Sequence, residues 1–170
     1  YGIVPDMIVS AKGLGWGIYP VTATIMGKGL ESVFHDDPFI HVSTTGGADI
    51  GCVVARKVIE LTAAPSFLEN VNRLSELFSL GMQDIAGKFP DLFAGFRQNG
   101  LMCAIQTTHS DYGPLMSKAC YDAGLLCIYA GNDTSVLQFL PPLITEKETA
   151  EEILGRLDEA FSIAREFINA

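Results

Sequence analysis

The stretch Met7-Ile8-Val9-Ser10-Ala11-Lys12-Gly13-Leu14-Gly15-Trp16-Gly17 constrains this chain more than any other. Its apolar run, Met7, Ile8 and Val9, reads as a short buried strand. Lys12 stands at the far end, where Gly13, Gly15 and Gly17 open a turn. Glycines there let the backbone take positive φ and pass close to whatever the lysine holds. An amine at a strand end beside such a turn can be desolvated, lose its proton and attack a carbonyl to give a Schiff base. Taken by itself, the same lysine suits the surface end of an edge strand better.

Downstream, strand and helix patterns alternate, which gives an α/β chain. Residues 19–26, apolar and β-branched, predict a strand returning beside the first, and 30–34 a short helical turn. In Ser43-Thr44-Thr45-Gly46-Gly47, hydroxyls and glycine amides precede a helix start, and the combination suits a phosphate. The same residues also suit a plain N-cap cluster. Ile50, Val53, Val54, Val58 and Leu61 recur at helical spacing and predict a buried helix ending near Thr62. Ser66 and Glu69 form a capping box, opening a helix striped by Phe67, Val71, Leu74, Phe78, Met82 and Ile85. Leu101, Cys103 and Ile105 alternate with Met102, Ala104 and Gln106, as in a strand covered on at least one face. Residues 112–123 predict helix; 125–129 and 135–140 predict strands, the second stopped by Pro141-Pro142. Thr145 and Glu148 frame another capping box before a last helix with Ile153, Leu157, Phe161, Ala164 and Ile168 inside.

Composition narrows the function classes. Hydrophobic residues make up 48% of the 170 and charged ones 18%, so the chain folds around a core. A net charge of −9 argues against a nucleic-acid groove or an anionic membrane surface as partner. No apolar run reaches the length of a membrane span. Cys52, Cys103, Cys120 and Cys127 lack metal-type spacing and read as reduced packing residues of a cytoplasmic protein. His35 and His41 read as loop hydrogen-bonding groups, and Glu146, Glu148, Glu151 and Glu152 as a solvated helix start, so no metal site is expected. The chain opens on Tyr1 with no initiator methionine, and that start reads as a processing or truncation boundary.

Four segments, in order, carry a family resemblance: Pro5 to Gly15 with Gly17-Ile18-Tyr19-Pro20-Val21; His41-Val42-Ser43-Thr44-Thr45-Gly46-Gly47; Gly100-Leu101-Met102; and Leu137-Gln138-Phe139-Leu140-Pro141-Pro142-Leu143. Together they resemble the C-terminal part of class III aminotransferases, pyridoxal-phosphate enzymes of fold type I. Pro38-Phe39-Ile40-His41 and Phe89-Pro90-Asp91-Leu92 most resemble the putrescine and diamine branch. The chain departs from the family where Thr45-Gly46-Gly47-Ala48-Asp49 replaces an aromatic residue followed by Gly-Gly-Asn-Pro.

The resemblance implies that residues 1–62 are a remnant of the large cofactor domain and 63–170 the small C-terminal domain. It implies pyridoxal 5'-phosphate held by Lys12 as a Schiff base, with Lys12 also moving the substrate proton as base and acid. Ser43 and Thr44 match phosphate-binding positions, Thr44 reaching the cofactor of a partner subunit in a homodimer. Gln138 stands where relatives acting on α-amino acids carry an arginine for the substrate carboxylate. The implied reaction passes an amino group from an amine, diamine or amino acid to a 2-oxo acid. An aminomutase or epimerase on the same scaffold, or a truncated binding or oligomerisation module, remains the alternative. The acidic partner of the pyridinium nitrogen, the main phosphate loop and the ring-stacking aromatic lie before Tyr1 in relatives. The chain alone is therefore expected to fold without turnover, and to associate through the uncovered face of its first strand.

Overall fold

The computed structural model describes residues 2–169; Tyr1, read above as a boundary, lies outside them, as does Ala170. The chain forms two compact units, divided between Phe67 and Leu68.

The first unit opens with strands β1 (Met7–Ser10) and β2 (Ala23–Met26), paired antiparallel with Met7 opposite Met26 and Ser10 opposite Ala23. The expected strand pair is present, and β2 is shorter than the run 19–26. β1 is not buried: Met7, Ile8 and Val9 are 52%, 47% and 74% exposed. Its strand neighbour among the described residues is β2 alone, so this is a two-stranded ribbon with uncovered faces. Helix α1 (Ser32–Asp36) lies slightly beyond the turn expected at 30–34 and takes in His35. Helix α2 (Asp49–Thr62) ends where its pattern predicts, but only Gly51 and Val58 are buried. Ile50, Val53 and Leu61 face outward, so the expected buried helix is a half-covered one.

The second unit is built on helix α3 (Pro65–Lys88) from Leu68 onward, strands β3 (Phe93–Asn99) and β4 (Met102–Thr107), helix α4 (Tyr112–Asp122), strands β5 (Ile128–Ala130) and β6 (Asp133–Phe139), and helix α5 (Lys147–Asn169). The strands form one antiparallel sheet in the order β3-β4-β6-β5. Pro65 opens α3 as its first helical residue, a position where the missing N–H costs nothing, so Ser66 lies inside the helix and does not cap it. Thr145 does not cap α5 either; its hydroxyl donates to the Pro142 carbonyl at 2.6 Å.

Leu74, Phe78, Met82 and Ile85 of α3 are buried, as are Leu157, Phe161 and Ala164 of α5. They meet Cys103 and Ile105 of β4 and Leu137 and Phe139 of β6 in one core. Phe78 packs edge-on to Phe139 at 5.2 Å, and Phe161 lies between Phe89 and Phe93 at 5.4 and 5.7 Å. Arg165 of α5 sits 4.4 Å over the Phe89 ring and donates to Asp91, whose carboxyl it holds below the usual range. Gly113 sets how α4 meets β6. A Cβ there would stand 1.8 Å from the Thr134 carbonyl oxygen, a distance no side chain can occupy.

The cysteines are free, as expected, but only Cys103 and Cys120 are buried; Cys52 is exposed and Cys127 half-buried. Burial pushes the Cys103 thiol up to about 11. Cys120 and Cys127 share a hydrogen bond that raises Cys120 and lowers Cys127.

Two outcomes follow from this packing. Gly113→Ala is expected to destabilise the second unit by about 1–3 kcal/mol, read as a lower urea midpoint at unchanged slope. In native alkylation at pH 8, Cys52 and then Cys127 are expected to label, while Cys103 stays protected because it is protonated and enclosed. Early labelling of Cys103, followed by peptide mass spectrometry, would contradict that core assignment.

Candidate active site

Lys12 follows β1 directly and opens a 3-10 turn, Lys12–Gly15. The positive φ expected at the glycines falls instead on Lys12 (52°) and Trp16 (51°), with Gly17 alone of the three glycines joining them at 72°. A lysine in the left-handed region costs about 1–3 kcal/mol and persists only where its surroundings enforce it. Here backbone bonds do so: Leu14 N donates to Ala11 O, Trp16 N to Gly13 O and Ile18 N to Gly15 O, at 3.0, 3.0 and 2.9 Å. Of Gly13 and Gly15, only Gly15 has a close neighbour; a Cβ on Gly13 would meet nothing within 4 Å. Gly15 is buried, and a Cβ on it would already touch Val21 at 3.4 Å. The Lys12 side chain is exposed and, among the described residues, makes no hydrogen bond or ion pair.

A pocket of about 500 Å3 lies within this unit, lined by Leu14, Tyr19, Val21, Ser43, Gly47 and Gly51 among others. Ser43 and Thr45 belong to its lining, whereas Lys12 and Thr44 do not. Ser43 is not the N-cap of α2. Ala48 holds that position without a side-chain bond, and Ser43 Oγ accepts from Gly46 N at 2.9 Å instead. Gly46 has to be glycine for this turn, since a Cβ would come within 2.9 Å of the Ser43 Cβ. Gly51, in the first turn of α2, is matched to the Tyr19 ring, which a Cβ would meet at 3.2 Å. The result is a small-residue cradle of hydroxyls and backbone, and no carboxylate lines it. Such a donor set fits a phosphate group.

The family profile described as Aminotransferase class-III matches residues 1–161. The chain belongs to the class III aminotransferases. The family is pyridoxal-phosphate dependent, and the α/β fold is its fold, consistent with a C-terminal portion. The chain is 48% identical over 167 residues to an uncharacterized aminotransferase of Archaeoglobus fulgidus, covering 96% of this chain and 38% of that protein. It is 28% identical over 154 residues to the putrescine aminotransferase of Pectobacterium atrosepticum, covering 91% of this chain and 33% of the other. It also resembles a pyridoxal-phosphate-bound aminotransferase mutant from Vibrio fluvialis, with TM-score 0.84, 26% identity, and coverage of 96% of this chain and 39% of that one. The chain thus spans well under half the length of these class III relatives. No helix among the described residues is long and apolar enough to cross a membrane.

Gln138 lies in the second unit, on β6, opposite Ala104 of β4 and Ile128 of β5. It is half-buried, and its Nε2 donates to the Tyr129 carbonyl at a long 3.4 Å. It lines a concavity of the sheet together with Arg97 of β3. Sequence reasoning missed β3, and with it Arg97. The strand carries Gly95 and a polar end, Arg97-Gln98-Asn99, so its alternation is weak; the pairing signal was Leu101 and Met102 after Gly100 at φ 59°. Tyr19 and Gly51 were missed as pocket residues because Tyr19 read as part of a strand.

The Ser43 turn can be tested directly. Ser43→Ala removes the acceptor of the Gly46 amide, whose hydrogen exchange is expected to quicken roughly 2- to 10-fold. Unchanged exchange would show that the turn is held by its backbone alone.

Proposed function

We propose that this chain is the lysine-bearing part of a pyridoxal-phosphate-dependent aminotransferase that moves an amino group from an amine or diamine to a 2-oxo acid. The observation that carries the reading is Lys12: an unpaired, exposed amine held in a left-handed conformation at a strand end. Strain kept at one polar residue, beside a cradle suited to phosphate, belongs to functional sites more than to structural ones. On this reading residues 1–62 come from the large cofactor domain and 63–170 form the small one, in a cytoplasmic homodimer.

Pyridoxal phosphate, when bound, supplies the electron sink that makes a substrate C–H acidic. Lys12 Nζ would hold the cofactor's aldehyde carbon covalently. Once displaced by the donor amine, the same nitrogen would take the proton from the substrate carbon and return it, as general base and acid. Ser43 and Thr44 would offer hydroxyls to phosphate, Ser43 from the cradle itself and Thr44, which lies outside that lining, to the partner subunit's cofactor. Gln138 offers hydrogen bonds without charge, which supports a donor that brings no carboxylate to that position. The likeness to a putrescine aminotransferase supports a diamine in that role.

The test uses the full-length gene product incubated with pyridoxal phosphate and reduced with borohydride. Peptide mass spectrometry is expected to place the pyridoxyl group on Lys12 and to lose it in Lys12→Ala. A label on Lys28 or Lys57 would falsify the assignment. A half-reaction with putrescine and a 2-oxo acid then separates transamination from amino-group migration or epimerisation.

A further inference from the structure

In the second unit, the end of α4 and the chain that follows it lie side by side. Gly124, at φ 81°, reverses the chain. Its amide donates to the Tyr121 carbonyl at 3.0 Å, and the Leu125 amide donates back to the Cys120 carbonyl at 2.7 Å. Such a pair of bonds around a left-handed glycine closes a helix and turns the next residues back along it. Further on, the Tyr129 amide donates to Ser117 Oγ at 2.9 Å. Ser117 and Cys120 stand at helical spacing i and i+3, so they share one face of α4. Residues 125–129 therefore run back along that face, clamped at both ends, with Cys127 midway.

The clamp brings two thiols together. Cys120 is fully buried, Cys127 is half-buried, and the two share a hydrogen bond. Arg156 of α5 steadies the link between them by donating to the Ala123 carbonyl at 3.0 Å. Cys127 also lines a crevice of about 160 Å3 with Phe139, Leu140, Pro141, Pro142 and Ile153. A water takes up about 30 Å3, so hydrogen peroxide fits there and a bulky oxidant does not. The two cysteines divide the work. Cys127 can be reached, and the hydrogen bond from Cys120 favours its thiolate. Cys120 stays enclosed and protonated beside it.

We propose that Cys120 and Cys127 are a peroxide-sensitive pair whose disulfide locks the edge strand β5 onto α4. The Cys127 thiolate attacks hydrogen peroxide: an S–O bond forms, the O–O bond breaks, and the hydroxide released takes a proton from solvent. The Cys120 sulfur then attacks the sulfenic sulfur. The S–S bond forms, the S–O bond breaks, and hydroxide leaves as water with the Cys120 proton. Two thiols are oxidised and one peroxide is reduced to two waters. The bond closes residues 120–127 into a loop and ties Cys127, the residue before β5, to the helix. Among the described residues β5 pairs with β6 alone, Ile128 lying opposite Gln138, so the disulfide anchors a strand held from one side. Neither thiol takes part in the reaction proposed for Lys12.

The test uses the full-length gene product, reduced, freed of reductant and exposed to hydrogen peroxide in native buffer. Free thiols are then blocked with N-ethylmaleimide in denaturant, and the protein is digested with trypsin. Cys120 and Cys127 fall in one tryptic peptide, residues 119–147. That peptide is expected to lose two hydrogens and to take up no maleimide, and dithiothreitol is expected to reverse both changes. In Cys120→Ala, Cys127 is expected to stop at the sulfenic acid, which dimedone traps. Where that variant does not fold, the wild-type peptide decides alone. Cys127 oxidised to sulfinic acid with Cys120 still open to maleimide, Cys127 joined to another cysteine, or no oxidation of either overturns the proposal. Hydrogen exchange reads the lock itself. The Leu125 and Tyr129 amides are expected to exchange roughly 10-fold or more slowly in the oxidised protein, because the bond restrains opening of the clamp. Equal or faster exchange overturns the lock.

Discussion

The second unit depends on one constraint: its sheet is packed from one side only. Cys103 and Ile105 on β4, and Leu137 and Phe139 on β6, turn toward α3, α4 and α5 and disappear into the core. Side chains alternate strictly along a strand, so Ala104 and Gln138 are forced onto the opposite face. The register does the rest, setting Arg97, Ala104 and Gln138 in one row. A slip of one residue would bury Gln138 and expose Leu137, which the aromatic contacts of Phe139 and Phe161 oppose. The polar face is thus a by-product of core packing, and the core fixes its geometry.

The first unit solves a different problem with fewer buried side chains. Its ordering rests on close backbone approaches at small residues. Gly15 admits Val21, Gly51 admits the Tyr19 ring, and Gly46 admits the Ser43 side chain. At Gly51 and Gly46 a Cβ would crowd its neighbour, and together the three approaches shape the cradle beside the turn. Lys12 takes the left-handed conformation within this frame, although Gly13 next to it could have taken it at lower cost. With the strain on the lysine, the backbone sets the direction in which its Cα–Cβ bond leaves the strand.

Much of this could be read from the sequence, and the failures share a cause. Long stripes were legible: Leu74, Phe78 and Met82 in α3, and Leu157, Phe161 and Ala164 in α5, are buried where helical periodicity placed them. So was the β4 alternation, with Cys103 and Ile105 inside. Caps were misread, because Ser66 and Glu69 satisfy a pattern that Pro65 pre-empts, and Thr145 bonds backward to Pro142. Burial was misread in β1 and α2, since apolar composition signals a covering layer without saying which chain segment supplies it. In the candidate site, Lys12 and the Ser43 turn were visible as motifs. The neighbours that give them shape, Tyr19 and Gly51, were not, because contacts across a turn and a helix leave no periodic trace. Arg97 stayed hidden for a related reason: an edge strand with a glycine and a polar end carries little alternation.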